Sequence, residues 1–409
     1  MQQSVPPTFR HRAVFRCLLV AGSFLFAIAS AETVVRLMGE VDSDGNFSFQ
    51  GHPVGRRIPP VTAITATLEK YQTTNTTRMI YDAETGWKPR PHISTHGGNY
   101  RYNAAGIRSP PKAYDLQPAD GTLRIALFGD SFTHGDDVAF EETWGAMLEE
   151  KLNEMGIAAE VINFGVSAYG MDQAFLRWKT LGRSYSPHIV LFGFQAENVN
   201  RNVNMLRAFY ADGTGIPFSK PRFVLDDDGT LRLINSPTLS LDRVPEVMAD
   251  MDSWGLAKYE TFYHKERFAK RFWHSSRALS FAVERLSNNE PSRRIAPYRL
   301  DGEPARVTLA LLSEFRRDVE RHNAQFDIVH LPKESDLNRL LKKRGCVYQQ
   351  LLERVGEQQT LIDPQTQLLN AARAESLESL YQRHYSAKGN SIIAEVIAKF
   401  LATTLPNTR

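Results

Sequence analysis

LRIALFGDSFTHGDDV, residues Leu123–Val138, is the stretch on which the fold turns. Its first half, Ile125-Ala126-Leu127-Phe128, is a short unbroken apolar run, the pattern of a strand buried on both faces of a parallel sheet. At Gly129-Asp130-Ser131 turn formers replace hydrophobes and leave a hydroxyl at the strand's carboxyl end, where open α/β sheets gather ligands and reactive groups. Downstream, Trp144, Leu148, Leu152 and Met155 recur at helical spacing within Glu142–Met155, and Gly156 stops the helix. A strand, a sharp turn with a serine and then a helix is a common way to present a nucleophile. The same serine also suits a helix cap or a turn.

From Leu123 onward the pattern alternates as an α/β domain should. Ala159–Phe164 reads as a second strand ending in Gly165-Val166-Ser167, followed by a helix with Ala174, Phe175, Trp178 and Leu181 on one face. His188–Phe194 is a third strand, running into Gln195-Ala196-Glu197-Asn198. Residues 205–300 interrupt the alternation as an insert, with a hairpin at Arg222–Ile234 and a helical stretch over Tyr259–Leu286. Its aromatics, Phe209, Tyr210, Trp254, Tyr259, Phe262 and Tyr263, suit either a satellite core or the cap of a substrate groove. A helix over Arg306–His322, a fourth strand at Phe326–Leu331, short helices at Leu337–Lys343 and Tyr348–Val355, and a short strand at Leu361-Ile362-Asp363 follow. The chain closes with His384 and a helix carrying Ile393, Val396, Ile397, Phe400 and Leu401. The domain reading is therefore residues 1–38 as an N-terminal segment with its apolar helix, 39–120 as a stalk and extension, and 121–405 as the α/β domain with the 205–300 insert.

The N-terminus carries Arg10, Arg12 and Arg16 ahead of the uncharged run Cys17–Ala31. Positive charge before the apolar run places the N-terminus in the cytoplasm and the remainder outside. Fifteen residues suit a signal-peptide core, and Ala29-Ser30-Ala31 offers a small-x-small cleavage site. The helical pattern continues through Val34, Val35, Leu37 and Met38, with Glu32 and Arg36 able to snorkel, which favours an uncleaved membrane anchor. Residues 40–120, rich in turn formers such as Pro59-Pro60 and Pro110-Pro111, read as an extended stalk becoming ordered on the domain surface, with short strands near Trp87 and Tyr100–Tyr102.

Across 409 residues, 42% hydrophobic and 23% charged content leaves room for a sizeable core, and the formal charge of +3 carries no basic block suited to nucleic acid. Cys17 and Cys346 lie far apart and build neither a disulfide framework nor a zinc site. No metal and no cofactor are expected.

Ser131, Gly165 and Asn198 follow the first three strands and His384 follows the fifth, so a doubly wound parallel sheet would bring them to one edge. Acyl transfer needs such parts: an oxygen nucleophile, an imidazole to take its proton, and donors for the developing oxyanion. Gly165 would let a backbone N–H approach the oxyanion, with the Asn198 amide and the Ser131 N–H as further donors.

This set resembles the SGNH/GDSL hydrolase family. Gly129-Asp130-Ser131 matches the family's first block, with Phe132 in place of leucine. Asn163-Phe164-Gly165-Val166-Ser167 is similar to the second, with Gly165 as its oxyanion glycine. Ala196-Glu197-Asn198-Val199 keeps the asparagine of the Gly-x-Asn-Asp block, and His384 matches the fifth. The resemblance covers residues 123–403 apart from the insert, and extends to a membrane-anchored bacterial type through Gly86–Pro91 and Asn103–Arg108. It implies a three-layer αβα, flavodoxin-like fold with about five parallel strands. It also implies a serine esterase, or an O-acyltransferase, acting on acylated carbohydrate or envelope substrates outside the cytoplasm. A membrane partner handing over acyl groups would suit a transferase, and the sequence identifies none. A non-catalytic glycan-binding protein on the same scaffold is the alternative from another class.

The Asn198 block lacks the family's first glycine and its aspartate, and one further departure bears directly on the chemistry. Three residues before the histidine, where an aspartate orients the imidazole, stands Tyr381; the nearest acids are Glu375 and Glu378. A backbone carbonyl holding His384 in a dyad, Glu378 reaching it from a displaced turn, or a degenerate site are the open readings. His134 lines the pocket or is incidental. Asp130 reads as structural, Asp136 and Asp137 as solvated, and His188 and His330 as structural histidines.

Overall fold

The computed structural model describes residues 7–110, 112–211, 215–287 and 295–405, so Pro111 and the first six residues lie outside it. Its centre is a five-stranded, all-parallel sheet: β1 (Leu123–Phe128), β2 (Ala159–Asn163), β3 (Ile189–Phe194), β4 (Gln325–His330) and β5 (Leu361–Ile362), in spatial order β5-β4-β3-β1-β2. That is the flavodoxin-like order, with its switch point between β1 and β3. All five strands expected from the apolar runs are present. The register sets Ile125 beside Ile189 and beside Val161, so one apolar row crosses β3, β1 and β2.

Alternation along each strand divides the core into two layers. Ala126, Phe128, Val190, Phe192, Phe326 and Ile328 face α2 (Met171–Thr180) and α3 (Glu303–Arg321), meeting Phe175, Trp178 and Phe315. Ile125, Leu127, Leu191, Val161 and Val329 face α1 (Trp144–Glu154) and α4 (Ala387–Thr404), meeting Leu148, Leu152, Ile393 and Ile397. Burial on both faces explains why β1 and β3 read as continuous hydrophobic runs.

By contacts the chain divides into two units: residues 1–65 with 263–291, and residues 66–262 with 292–409. In the second, residues 66–120 are built into the α/β body. Trp87 is fully buried, donates its indole N–H to the Ser167 carbonyl at 3.2 Å, and accepts the Tyr169 hydroxyl on its own carbonyl at 2.6 Å. The short strands expected near Trp87 and Tyr100 are Met79–Asp82 with Gly86–Pro89 and Ser94–Thr95 with Tyr100–Arg101. The hairpin expected at Arg222–Ile234 is formed by Arg222–Leu225 and Leu231–Ile234.

In the first unit the helix Pro7–Met38 contains Val14–Met38, a segment long and apolar enough to cross a membrane. It runs past Ala31 because the two charges beyond that point, Glu32 and Arg36, are satisfied. Glu32 accepts from Arg36 Nε at 2.7 Å and from the Arg277 and Ala278 amides, both at 2.9 Å, so its carboxylate caps the helix Arg277–Ser287. The expected single helix over Tyr259–Leu286 is broken into Ala257–Tyr259, Lys265–Phe268, Phe272–Ser275 and Arg277–Ser287. Lys265, Arg267, Lys270 and Arg271 interrupt the apolar stripe between Tyr263 and Phe272, so no continuous buried face holds one helix there.

Candidate active site

β1 ends at Phe128, and Asp130 begins a single helical turn, Ser131–His134, by accepting the Phe132 N–H at 2.9 Å. Asp130 is buried, which raises its pKa, while Arg201 opposes that shift through a 3.0 Å ion pair. Its part is to fix the turn, in line with the structural reading. Ser131, first in the turn, has a backbone N–H with no acceptor among the described residues.

His384 arrives from the opposite end of the chain, on a tight turn in which Tyr381 bridges Tyr385 and the Gln382 N–H donates to the His384 carbonyl at 2.8 Å. The Tyr381 and Tyr385 hydroxyls both donate to the Pro332 carbonyl, at 2.9 and 2.6 Å, so Tyr381 turns away from the imidazole. His384 Nε2 lies 2.8 Å from Ser131 Oγ, and its Nδ1 lies 2.7 Å from Asp137 Oδ2. The Phe132 ring meets the imidazole edge-on, 4.8 Å between centroids. Asp137 is therefore not solvated: its side chain is only 12% exposed, and its other oxygen accepts from Arg383 at 2.5 Å. Burial works against its charge, but the hydrogen bonds from His384 and Arg383 outweigh that and hold the pKa below the ordinary carboxylate value. Glu378 is exposed and makes no contact with His384, so the displaced-turn reading falls.

The backbone explains how neighbouring aspartates part company. Gly135 has φ 80° and Asp137 φ 75°, a conformation that Asp tolerates better than most residues. A Cβ on Gly135 would stand 2.4 Å from Thr143 Cγ2, so glycine is required there. Between them Asp136 turns inward, accepting from His134 Nδ1 at 2.6 Å and from Ser167 Oγ at 2.8 Å. Burial opposes its ionisation, yet His134 and Arg78 keep its pKa low, so it too is a paired group and not a solvated one. His134 is fully buried, and burial with the nearby Arg108 charge pushes its pKa down to about 3. Its Nδ1–H then faces Asp136 while Nε2 accepts the Tyr102 hydroxyl at 2.7 Å. Arg108 donates to the His134, Gly135 and Val138 carbonyls, and the Asp137 N–H donates to Tyr100 Oη at 2.7 Å. The segment Asn99–Arg108 thus braces the loop that delivers Asp137.

Of the candidate oxyanion donors, the Asn198 side-chain N–H group has no acceptor among the described residues; its Oδ1 lies 3.4 Å from Arg201 Nη1. Gly165 differs from the expectation. Its N–H donates to Asn163 Oδ1 at 2.9 Å, so it is not free to meet a substrate oxygen. Its missing side chain serves packing: a Cβ would lie 2.6 Å from the His134 nitrogen. Three residues on, Ala168 has φ 68°, is partly exposed, and its N–H has no acceptor among the described residues. The Val166 N–H to Gly129 carbonyl bond, 3.1 Å, ties this loop to the turn that carries Ser131. Nothing in the sequence marks this alanine, because the left-handed φ that presents its N–H belongs to the folded backbone.

Beside His384 a recess of about 300 Å³ is lined by Asn99, Tyr100, Asp137, Gln382 and Arg383. His330 donates or accepts at Asp363 (2.8 Å) and Tyr348 (3.2 Å), and His188 Nδ1 accepts the Arg124 N–H at 2.9 Å; both are structural. Among the described residues no group of three or more His, Cys, Asp or Glu side chains is placed to hold a metal ion.

No family model and no curated relative matches the chain. Among solved structures, the chain is similar to the acetyl xylan esterase AlAXEase, at 14% identity over 69% of this chain and 100% of that one, with a TM-score of 0.35. It is also similar to TesA, at 10% identity over 69% of this chain and 99% of that one, TM-score 0.35. A third is a member of the lipolytic G-D-S-L family from Veillonella parvula, at 11% identity over 69% and 99% of the two chains, TM-score 0.34.

Proposed function

We propose that the chain is a serine esterase in which Ser131, His384 and Asp137 form the reacting triad. The observation that carries this reading is the pair of contacts on one imidazole, 2.8 Å to Ser131 Oγ and 2.7 Å to Asp137 Oδ2. With Nδ1–H donated to Asp137, His384 Nε2 accepts the Ser131 proton as Oγ attacks an ester carbonyl. The carbonyl oxygen becomes an oxyanion, received by the Ser131 N–H, the Ala168 N–H and the Asn198 side-chain amide. His384 then returns the proton to the departing alkoxide, and water, activated by the same imidazole, releases the acid and restores Ser131. An acid at Asp137 favours the catalytic reading over a glycan-binding scaffold, since the missing aspartate at Tyr381 is one of the two features, with the altered Asn198 block, that support the non-catalytic one.

A fluorophosphonate probe tests both nucleophile and oxyanion donors, because its phosphoryl oxygen occupies the oxyanion position. It should label Ser131 and leave Ser131→Ala unlabelled. Asn198→Ala should slow labelling and ester turnover by about 10²–10³-fold with a modest change in KM. Equal labelling of wild type and Ser131→Ala would overturn the nucleophile; an unchanged rate in Asn198→Ala would remove it from the oxyanion site.

For location, the reading is an uncleaved anchor with the triad outside the cytoplasm, and acylated envelope or extracellular glycans as substrates. A sugar hydroxyl in place of water would make the same site an O-acyltransferase, which product analysis with and without added sugar distinguishes. The support for retention is the unbroken helix across Ala29–Ala31 and the Glu32 cap on the helix Arg277–Ser287. Mass spectrometry of membrane-extracted protein should find peptides spanning Ala31–Glu32; a mature N-terminus at Glu32 would replace the anchor by a signal peptide.

A further inference from the structure

Behind the Ala168 loop lies a cation, Arg207, that forms no ion pair among the described residues. Arg207 opens the short helix Arg207–Tyr210 and is 9% exposed. Its Nη1 donates to the Ala168 carbonyl at 3.3 Å, its buried Nε has no hydrogen-bond partner, and Nη2 has no acceptor among the described residues. Nearby carboxylates are engaged elsewhere. Glu197 is held by Lys333 at 2.5 Å, by Arg201 at 3.5 Å and by the Tyr210 hydroxyl. Asp130 is held by Arg201 at 3.0 Å and by the Phe132 N–H at 2.9 Å. Arg201, Arg207 and Lys333 thus surround two carboxylates, and Arg207 is the cation left over. Burial, with Arg201 adding to it, pushes the Arg207 pKa down to about 10 against the opposing pull of Glu197 and Asp130, so the group remains charged at neutral pH.

A buried, unpaired guanidinium is costly to a folded chain unless something else compensates it. On the unpartnered edge of the guanidinium Nε is enclosed by protein, which leaves Nη2 to donate a charge-assisted hydrogen bond to a carboxylate. Through Ala168, whose N–H is a proposed oxyanion donor, this edge sits within the same loop cluster as Ser131. We propose that Arg207 binds an acid group, a carboxylate, on the ester substrate, so that the enzyme selects acylated acidic glycans over neutral ones. This rests on the esterase reading and narrows its substrate class. Arg207 acts in binding, and its effect falls on KM more than on kcat.

The experiment uses a matched pair of acetylated oligosaccharides of equal length, one built of uronic acids and one neutral, with the full chain in detergent. For Arg207→Gln, the ratio of kcat/KM for the acidic over the neutral ester should fall by about 10–100-fold, mainly through KM, as expected for losing hydrogen bonds to a charged group. Arg207→Lys, keeping the charge without the fork, should recover part of the ratio. An unchanged ratio overturns the proposal, whether both esters lose rate together, as a purely structural hold on Ala168 predicts, or neither does. Should wild type turn over neither ester, the esterase reading fails on its own. Calorimetric titration of the deacetylated uronate oligosaccharide into wild type and Arg207→Gln then still decides the acid site, with equal affinities or no binding overturning it.

Discussion

His384→Ala is expected to lower kcat on an aryl acetate by about 10⁶-fold, and adding Ser131→Ala to it to change the rate by little more. The reason is that the two side chains act as one device. Ser131 Oγ is a weak nucleophile until His384 Nε2, 2.8 Å away, takes its proton, and the imidazole has nothing to activate once the hydroxyl is gone. What survives in either single variant is the contribution of binding and the oxyanion donors, on the order of 10³–10⁴ over water. Kinetics of the two single variants and the double variant, each checked for an unchanged melting temperature, measure this directly. Losses that multiply instead of saturating would mean that serine and histidine work in separate steps, and a His384→Ala rate within roughly tenfold of wild type would remove the imidazole from the chemistry.

How much of this was legible before folding depends on what each residue answers to. The strands were legible because burial on two faces leaves a mark on every position, as in Ile125–Phe128 and Ile189–Phe194, and because each run is closed by turn formers. Ser131 and His384 were legible because strand-end position and residue type suffice to nominate them. Asp137 was not. Its partner is 247 positions away, and whether it faces solvent or the imidazole is set by two left-handed residues, Gly135 and Asp137, in a loop of three. A run of two aspartates reads as a solvated loop tip unless those dihedrals are known. Gly165 misled for a related reason: a glycine on a strand-end loop fits an oxyanion donor and a close packing contact equally well, and here the space goes to the His134 backbone while the N–H goes to Asn163.

The extension ahead of β1 was read as a stalk because turn-rich sequence with few apolar runs looks like a tether. Its role shows only in what it touches. Arg108 satisfies three carbonyls of the loop between His134 and Val138, and Tyr100 accepts the Asp137 N–H, so the strained turn that aims the carboxylate is held from outside the sheet. The proposed site thus draws Ser131, Asn198 and Ala168 from the sheet edge and one acid, Asp137, from a turn braced by the extension.

That placement makes Asp137→Asn the sharpest test of the triad. Asparagine tolerates the left-handed backbone at this position as aspartate does, so the turn should form and the protein should fold. The imidazole, however, now faces an amide. If the new side chain presents its N–H₂ to Nδ1, the imidazole proton moves to Nε2, which can then no longer accept from Ser131; a loss of about 10⁴ in kcat near pH 7 is the expected result, with KM little changed. Stability should respond differently. Because the Asp137 pKa is lower folded than unfolded, its charge stabilises the fold fully above about 3.9, the unfolded carboxylate value. That contribution fades as pH falls through the folded value. The stability gap between wild type and Asp137→Asn should therefore be level through neutral pH and close only in acid. Glu378→Gln, altering an exposed side chain with no contact to His384, should leave kcat within about twofold, the range of ordinary surface substitutions. The reverse pattern, a near-normal Asp137→Asn beside a crippled Glu378→Gln, would return the orienting acid to the turn before His384 and make the Asp137 contact a surface ion pair.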